Sequence, residues 1–186
     1  MNLSAVNSIN WARIMAQIVY YVTSALALGA PQREVSFAVP TGNFGNVYAA
    51  YAAQKMGLPI KRLAIGSNRN DILTRFFESG AMSANKVEPS LSPSMDIQIS
   101  SNFERYLCDL LDHDTASISK LMDSFKLKNK YSIGDAHMAK ARSQFSASRC
   151  DDTQTIEMMR KCYRNTGYVL DPHTAVGLVA ANNVTD

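Results

Sequence analysis

The chain is poor in the residues that mark specialised chemistry. Its three cysteines, Cys108, Cys150 and Cys162, are too scattered for a metal or redox spacing. An odd set of that kind points to a reducing compartment, not to a disulfide scaffold. The three histidines, His113, His137 and His173, lie far apart and offer no metal-ligand spacing. No apolar run is long enough to span a bilayer and no secretory leader pattern is present, so a cytoplasmic protein is expected. The charge excess is small, +3 at pH 7. The lysines gather in KLKNK (126–130), beside an expected helix end, which reads as a solvated stretch and not as a nucleic-acid surface. Neither a membrane nor a nucleic acid is therefore an expected partner. At 46% hydrophobic and 19% charged residues, the composition is that of an ordinary globular protein.

Nucleotide signatures are missing too. No Gly-Lys-Ser/Thr closes a Walker loop, and no G-x-G-x-x-G opens a dinucleotide fold. What is present is FAVPTGNFGNVYAAYAA (37–53): an apolar run, a glycine turn, and an alanine-rich helix. The first backbone N–H groups of a helix are unpaired and carry partial positive charge. Gly42 and Gly45 let the main chain approach an anion, and Asn43 and Asn46 can add amide donors. Spacing alone leaves two readings open, a phosphate cup or a merely tight strand–helix turn.

Periodicity supplies the frame around this turn. Ser8 is a good N-cap for a helix with Trp11, Ile14, Met15, Ile18, Val22 and Ala25 on one stripe, stopped by Gly29. A buried strand over 34–39, a helix over 46–56 and a second strand, IKRLAIGS (60–67), make a βαβ unit with parallel pairing expected. The next helix buries Ile72, Leu73, Phe76 and Phe77 and ends at Gly80. Residues 87–101 hold too many prolines and serines for a helix and read as loop with at most a short strand. Two amphipathic helices follow, facing inward with Phe103, Tyr106, Leu107 and Leu110, then with Ile118, Leu121, Met122 and Phe125. A short strand near Phe145, a helix over 151–167, and a strand–turn–helix in YVLDPHTAVGLVAANN (168–183) complete an α/β pattern. An apolar helix starts almost at once and another begins just before the last residue, so the chain reads as part of a larger fold.

The run Pro-Thr-Gly-Asn-Phe-Gly-Asn (40–46) resembles the phosphate loop of threonine synthases, members of the fold-type II, tryptophan-synthase-β-like family of pyridoxal 5'-phosphate enzymes. NSINWARIMAQIVYY (7–21), SNRNDILTRF (67–76), SPSMDIQISSNFERYLCDL (92–110) and YVLDPHTAVG (168–177) resemble further blocks of the longer, yeast- and enterobacterial-like class, in the same order. The resemblance implies a partial three-layer domain with a largely parallel sheet. Residues 1–186 would then be an incomplete large, cofactor-phosphate domain of a two-domain enzyme. That enzyme would convert O-phospho-L-homoserine and water to L-threonine and phosphate. Gly42, Asn43, Phe44, Gly45 and Asn46 would cradle the cofactor phosphate. Ser8 and Arg13, with Asn46, would meet the substrate phosphate, since a second dianion suits a hydroxyl and a guanidinium fork. The competing reading is that Ser8 only caps its helix and Arg13 faces solvent.

The family's Schiff-base lysine lies in a Ser-Phe-Lys-Asp motif upstream of the phosphate loop, and residues 1–33 contain no lysine. Ser124-Phe125-Lys126 lies downstream, ends an amphipathic helix and is followed by Leu127, so it is read as coincidence. No catalytic residue is therefore assigned, and the 186 residues alone are expected to be inactive. Two alternatives stay open: a related phospho-lyase releasing a 2-oxo acid, and a non-catalytic relative. The oligomeric state is not indicated. The polar helix entries at Asn68, Asn70, Asp71 and Arg75, and at Ser101, Asn102 and Arg105, could face the active-site cleft, and are read first as caps in contact with solvent. His173 has no assigned role.

Overall fold

A computed structural model of the chain describes residues 9–184. Helix α1 (Trp11–Ala27) is capped by Asn10, whose side chain accepts the Ala12 N–H. Its buried residues are Ile14, Tyr21 and Ala25. The expected stripe is thus rotated: Trp11 and Met15 are half-exposed, while Tyr21 turns in to meet Phe37 edge-on at 4.9 Å. Strand β1 (Val35–Pro40), helix α2 (Gly45–Lys55) and strand β2 (Ile60–Ser67) form the expected βαβ unit. β1 and β2 pair in parallel, with Val39 opposite Ile65.

Helix α3 (Ile72–Ser79) ends on Gly80, whose φ of 76° is open to glycine without strain. Two short strands, β3 (Ala81–Ser83) and β4 (Lys130–Ser132), pair antiparallel. At three residues each they are too short to leave a period in the sequence. Residues 87–101 form loop with one 3-10 turn (Pro93–Met95) and no strand. Helices α4 (Phe103–Leu110) and α5 (Thr115–Lys128) stand where the apolar spacing predicts. On α5, however, Leu121, Met122 and Phe125 are only partly buried against the core. Helix α6 (Asp135–Gln144) escapes the spacing argument because it buries only Met138 and Ala141.

Strand β5 (Phe145–Arg149) adds to β2 in parallel, giving the order β1-β2-β5. Helices α7 (Asp152–Thr166) and α8 (Pro172–Asn182) close the described chain. The expected strand at 168–170 does not form: Tyr168 and Val169 are exposed and unpaired with the sheet, and only Leu170 is buried.

The sheet has helices on both faces. Leu63 and Ile65 point into an aromatic core with Phe44, Phe76, Phe103, Tyr106 and Phe145. The alternate residue, Gly66, faces α8, as strand geometry requires. A Cβ there would lie 2.9 Å from the Val176 carbonyl oxygen, and one at Gly177 would lie 2.8 Å from Pro40 Cδ. These two glycines let α8 lie directly on the sheet, beside the strand ends that carry the glycine turn.

Candidate functional site

The turn after β1 is shaped by its own residues. Thr41 N–H donates to the Gly66 carbonyl at 3.0 Å, and Thr41 Oγ1 accepts the Phe44 N–H at 3.1 Å. Phe44 sits in the left-handed region at φ 62°, a conformation costing roughly 1–2 kcal/mol outside glycine. Full burial offsets that cost, because its ring packs on Phe103 at 4.9 Å and on Tyr106 and Phe145 at 5.8 Å. The Phe44 side chain therefore belongs to the core, and only its backbone belongs to the loop. No side chain caps the first turn of α2, and no acidic residue occupies it. The helix opens with polar backbone donors directed at whatever fills the space ahead of it.

That space is a cleft of about 300 Å³, and its lining includes Gly42, Asn43, Gly45, Asn46 and Arg13. Five expected site residues are thus brought together, and Ser8 lies outside the described residues. Lys126, exposed in the last turn of α5, is not part of the lining. Among the described residues the lining holds no carboxylate, and Arg13 is its one permanent cation. Such a surface favours an anion.

Residues that the sequence reading passed over shape the same cleft. Tyr21 donates its hydroxyl to Asn46 Oδ1 at 2.6 Å, which leaves the Asn46 Nδ2 donor free for an anion. Burial pushes the Tyr21 phenol well above its ordinary value, so it stays a neutral donor. Asn102, read as a helix cap, is fully buried. Its backbone N–H and its Nδ2 both donate to the Asn43 carbonyl, at 3.1 and 3.3 Å. Arg105 in turn donates to Asn102 Oδ1 at 3.1 Å and to the Ile9 carbonyl at 2.7 Å, with its guanidinium 5.6 Å over the Trp11 ring.

The facing wall is the 3-10 turn. A Cβ on Gly42 would stand 3.2 Å from Met95 Cα and 3.0 Å from Ile97 Cδ1, so glycine is required by contact here. Asn68 and Asn70 are no caps: they are 1% and 4% exposed and fasten this loop. Asp96 Oδ1 accepts from Asn68 Nδ2 at 2.8 Å, Asn70 Nδ2 at 3.0 Å and Ser90 Oγ at 2.6 Å, while Oδ2 accepts the Ser90 N–H at 3.0 Å.

His173, also without an assigned role above, lines the cleft with Ser94 and Gln17. Its Nε2 accepts the Ser94 N–H at 3.3 Å, and its Nδ1 lies 3.1 Å from Asp171 Oδ1. Asp171 caps α8. The Thr174 hydroxyl, foremost, together with the backbone and ring donors around it, holds its carboxyl below the usual carboxylate range.

No family model matches the chain. Its fold is that of part of a fold-type II pyridoxal-phosphate enzyme, and even a maize serine racemase of 16% identity superposes on 90% of the chain with a TM-score of 0.54. The threonine synthase of Pseudomonas aeruginosa is 52% identical over 179 residues, 96% of this chain and 38% of that protein. The threonine synthase of Saccharomyces cerevisiae is 42% identical over 199 residues, 98% of this chain and 39% of that protein. A PLP-bound threonine synthase structure from Brucella melitensis matches with a TM-score of 0.97 at 50% identity, covering 99% of this chain and 40% of that one. The chain is similar to threonine synthases along nearly its whole length, and it spans 38–39% of the length of these curated relatives.

Proposed function

We propose that the chain is the phosphate-binding portion of a cytoplasmic threonine synthase, an incomplete large domain that holds pyridoxal 5'-phosphate and the phosphate of O-phospho-L-homoserine. The uncapped first turn of α2, opening into a cleft with no carboxylate among its described lining residues, is the observation that carries this reading. Three free cysteines are in keeping with a reducing compartment.

The residues fit the cofactor's phosphate. Backbone donors of Gly45 and Asn46, with the Asn43 and Asn46 amides, would take its oxygens, and Gly42 leaves the approach open. Thr41, Tyr21 and Asn102 keep those donors aimed. Arg13, on the α1 side of the cleft, would take the substrate phosphate as a fork of charged donors. Ser8, two residues before the Asn10 cap, would add a hydroxyl. Pyridoxal phosphate, when bound, supplies the electron sink for the amino acid's carbon chemistry. The protein's part is to bind both phosphates and to hold them in register. The lysine that the chemistry needs is not in residues 1–33, so the 186 residues would bind and not turn over.

The test is a titration with pyridoxal phosphate followed by phosphorus NMR, with pyridoxal as the phosphate-free control. Pyridoxal phosphate should bind and pyridoxal should not compete. Asn46→Asp keeps the acceptor for Tyr21 but places a carboxylate in the cleft, and should weaken binding by about tenfold or more. Equal binding by the wild type and Asn46→Asp would remove the phosphate assignment.

A further inference from the structure

A second constellation lies away from the cleft, where α4 turns into α5. Cys108 Sγ is 3.2 Å from His113 Nδ1. On the other side of the same ring, His113 Nε2 is 3.6 Å from Asp109 Oδ1. A thiol, an imidazole and a carboxylate thus stand in sequence within six residues, 108–113. We propose that Cys108 is a base-assisted thiol that reacts with hydroperoxides, with His113 as its base and Asp109 orienting that base.

The backbone is bent to make this contact. Asp112 and His113 both adopt left-handed conformations, at φ 50° and 63°. Two such residues in succession, neither of them glycine, cost roughly 1–2 kcal/mol each. Strain of this kind is retained where surrounding contacts impose it. Here the His113 N–H donates to the Cys108 carbonyl at 2.9 Å and the Asp112 N–H to the Asp109 carbonyl at 3.2 Å, the two bonds that close a helix C-terminus, and this closure leaves the imidazole beside the sulfur. Lys140 Nζ holds Asp112 at 2.8 Å from the α6 side, and Asp114 begins α5 by accepting the Ala116 and Ser117 N–H groups. The thiol opens on a groove of about 790 Å³ that also touches Tyr48, Arg105, Ile118 and Met122, so a small reactant has access.

The geometry sets the proton inventory. With its proton on Nε2, the side 3.6 Å from Asp109 Oδ1, the ring presents Nδ1 as the acceptor facing sulfur. His113 Nδ1 takes the thiol proton, and the thiolate attacks one peroxide oxygen as the O–O bond breaks. The departing alkoxide, or hydroxide where the reactant is hydrogen peroxide, takes the proton back from Nδ1 and leaves as an alcohol or as water. Cys108 ends as a sulfenic acid, oxidised by two electrons, and the hydroperoxide is the oxidant. The other two cysteines lack this arrangement. Cys150 is buried against Thr155, and its thiol is pushed up chiefly by desolvation. Cys162 Sγ lies 3.6 Å from the Thr166 hydroxyl.

The experiment treats the 186-residue chain with limiting hydrogen peroxide, traps sulfenic acid with dimedone, and maps each cysteine by mass spectrometry. Cys108 should be trapped about tenfold faster than Cys162, and Cys150 should stay unlabelled as an internal sign of an intact fold. His113→Asn keeps a residue that tolerates the left-handed turn, and should slow Cys108 about tenfold while leaving Cys162 unchanged. Asp109→Asn should lie between the two. Trapping of Cys108 at the rate of Cys162, or no slowing in His113→Asn, would overturn the proposal. Neither result bears on the phosphate cleft.

Discussion

The two walls of the cleft are held in place by opposite means. The wall at 40–46 is local: Thr41 fastens Phe44 three residues on, Phe44 plugs the core, and the groups offered to a ligand are mainly backbone N–H. The wall at 88–98 has almost no regular structure. It is tied down by side chains 18 to 28 residues away in sequence, with Asn68, Asn70 and Asp96 at the centre. The first wall depends on the chain's own path and on contacts within a few residues. The second depends on one hydrogen-bonded cluster, whose members lose their partners together.

The largest expected effect therefore falls on the second wall. Asp96→Ala removes the acceptor for two asparagines and for both donors of Ser90, and should destabilise the fold by about 3 kcal/mol. A urea titration measures it, and a loss under about 1 kcal/mol would mean that water replaces the carboxylate without cost. Gly66→Ala tests how the sheet meets α8. Its Cβ would lie 2.9 Å from the Val176 carbonyl, backbone that cannot turn away, and a loss of about 2 kcal/mol is expected in the same titration.

Effects on the first wall should appear in binding and not in stability. Arg13 is exposed, so Arg13→Ala should leave the urea midpoint in place while weakening O-phospho-L-homoserine by about tenfold. Calorimetric titration of the pyridoxal-phosphate-loaded chain reads this directly. If affinity is unchanged, Arg13 is a surface residue that happens to line the cleft.

The same contrast decides what could be read from the sequence. The β1–α2 wall was legible because its information is contiguous: a strand, two glycines and a helix start within ten or so residues. The βαβ pairing and the inward faces of α3 and α4 followed from spacing in the same way. Asn68 and Asn70 were misread because a polar residue at a helix entry is usually a cap, and nothing local signals a partner in a loop more than twenty residues on. Asn102 was misread for the same reason, since its target is the Asn43 carbonyl. His173 carried a signal, the DPHTAVG block, but its meaning depends on α8 docking beside Ser94. Helix α6 and the β3–β4 pair were invisible because one buries only two residues and the other offers three per strand. The expected stripe on α1 holds at Ile14, Ile18 and Ala25 but fails at one edge, because Trp11 and Met15 are apolar yet half-exposed, while Tyr21, polar at its tip, is the residue that goes in.

Tyr21 is also where the two kinds of wall meet, and where the smallest effect is expected. Its ring is core, packed on Phe37, while its hydroxyl orients Asn46 in the cleft. Tyr21→Phe keeps the ring and deletes one hydrogen bond, so it should cost about 1 kcal/mol in the urea titration. Pyridoxal phosphate should weaken only a few-fold, because Asn46 keeps its amide but loses its fixed orientation. The alkaline limb gives an independent check. Burial raises the phenols of Tyr21, Tyr51, Tyr106 and Tyr131 above the ordinary value of 10.0. The folded state therefore binds these protons more tightly than the unfolded state does. Stability should hold level up to about pH 10 and fall above it, as the unfolded chain ionises first. Removing the Tyr21 phenol should make that fall shallower. A variant with the wild-type alkaline slope would mean that the Tyr21 hydroxyl is open to water, and that Asn46 is aimed by something other than this bond.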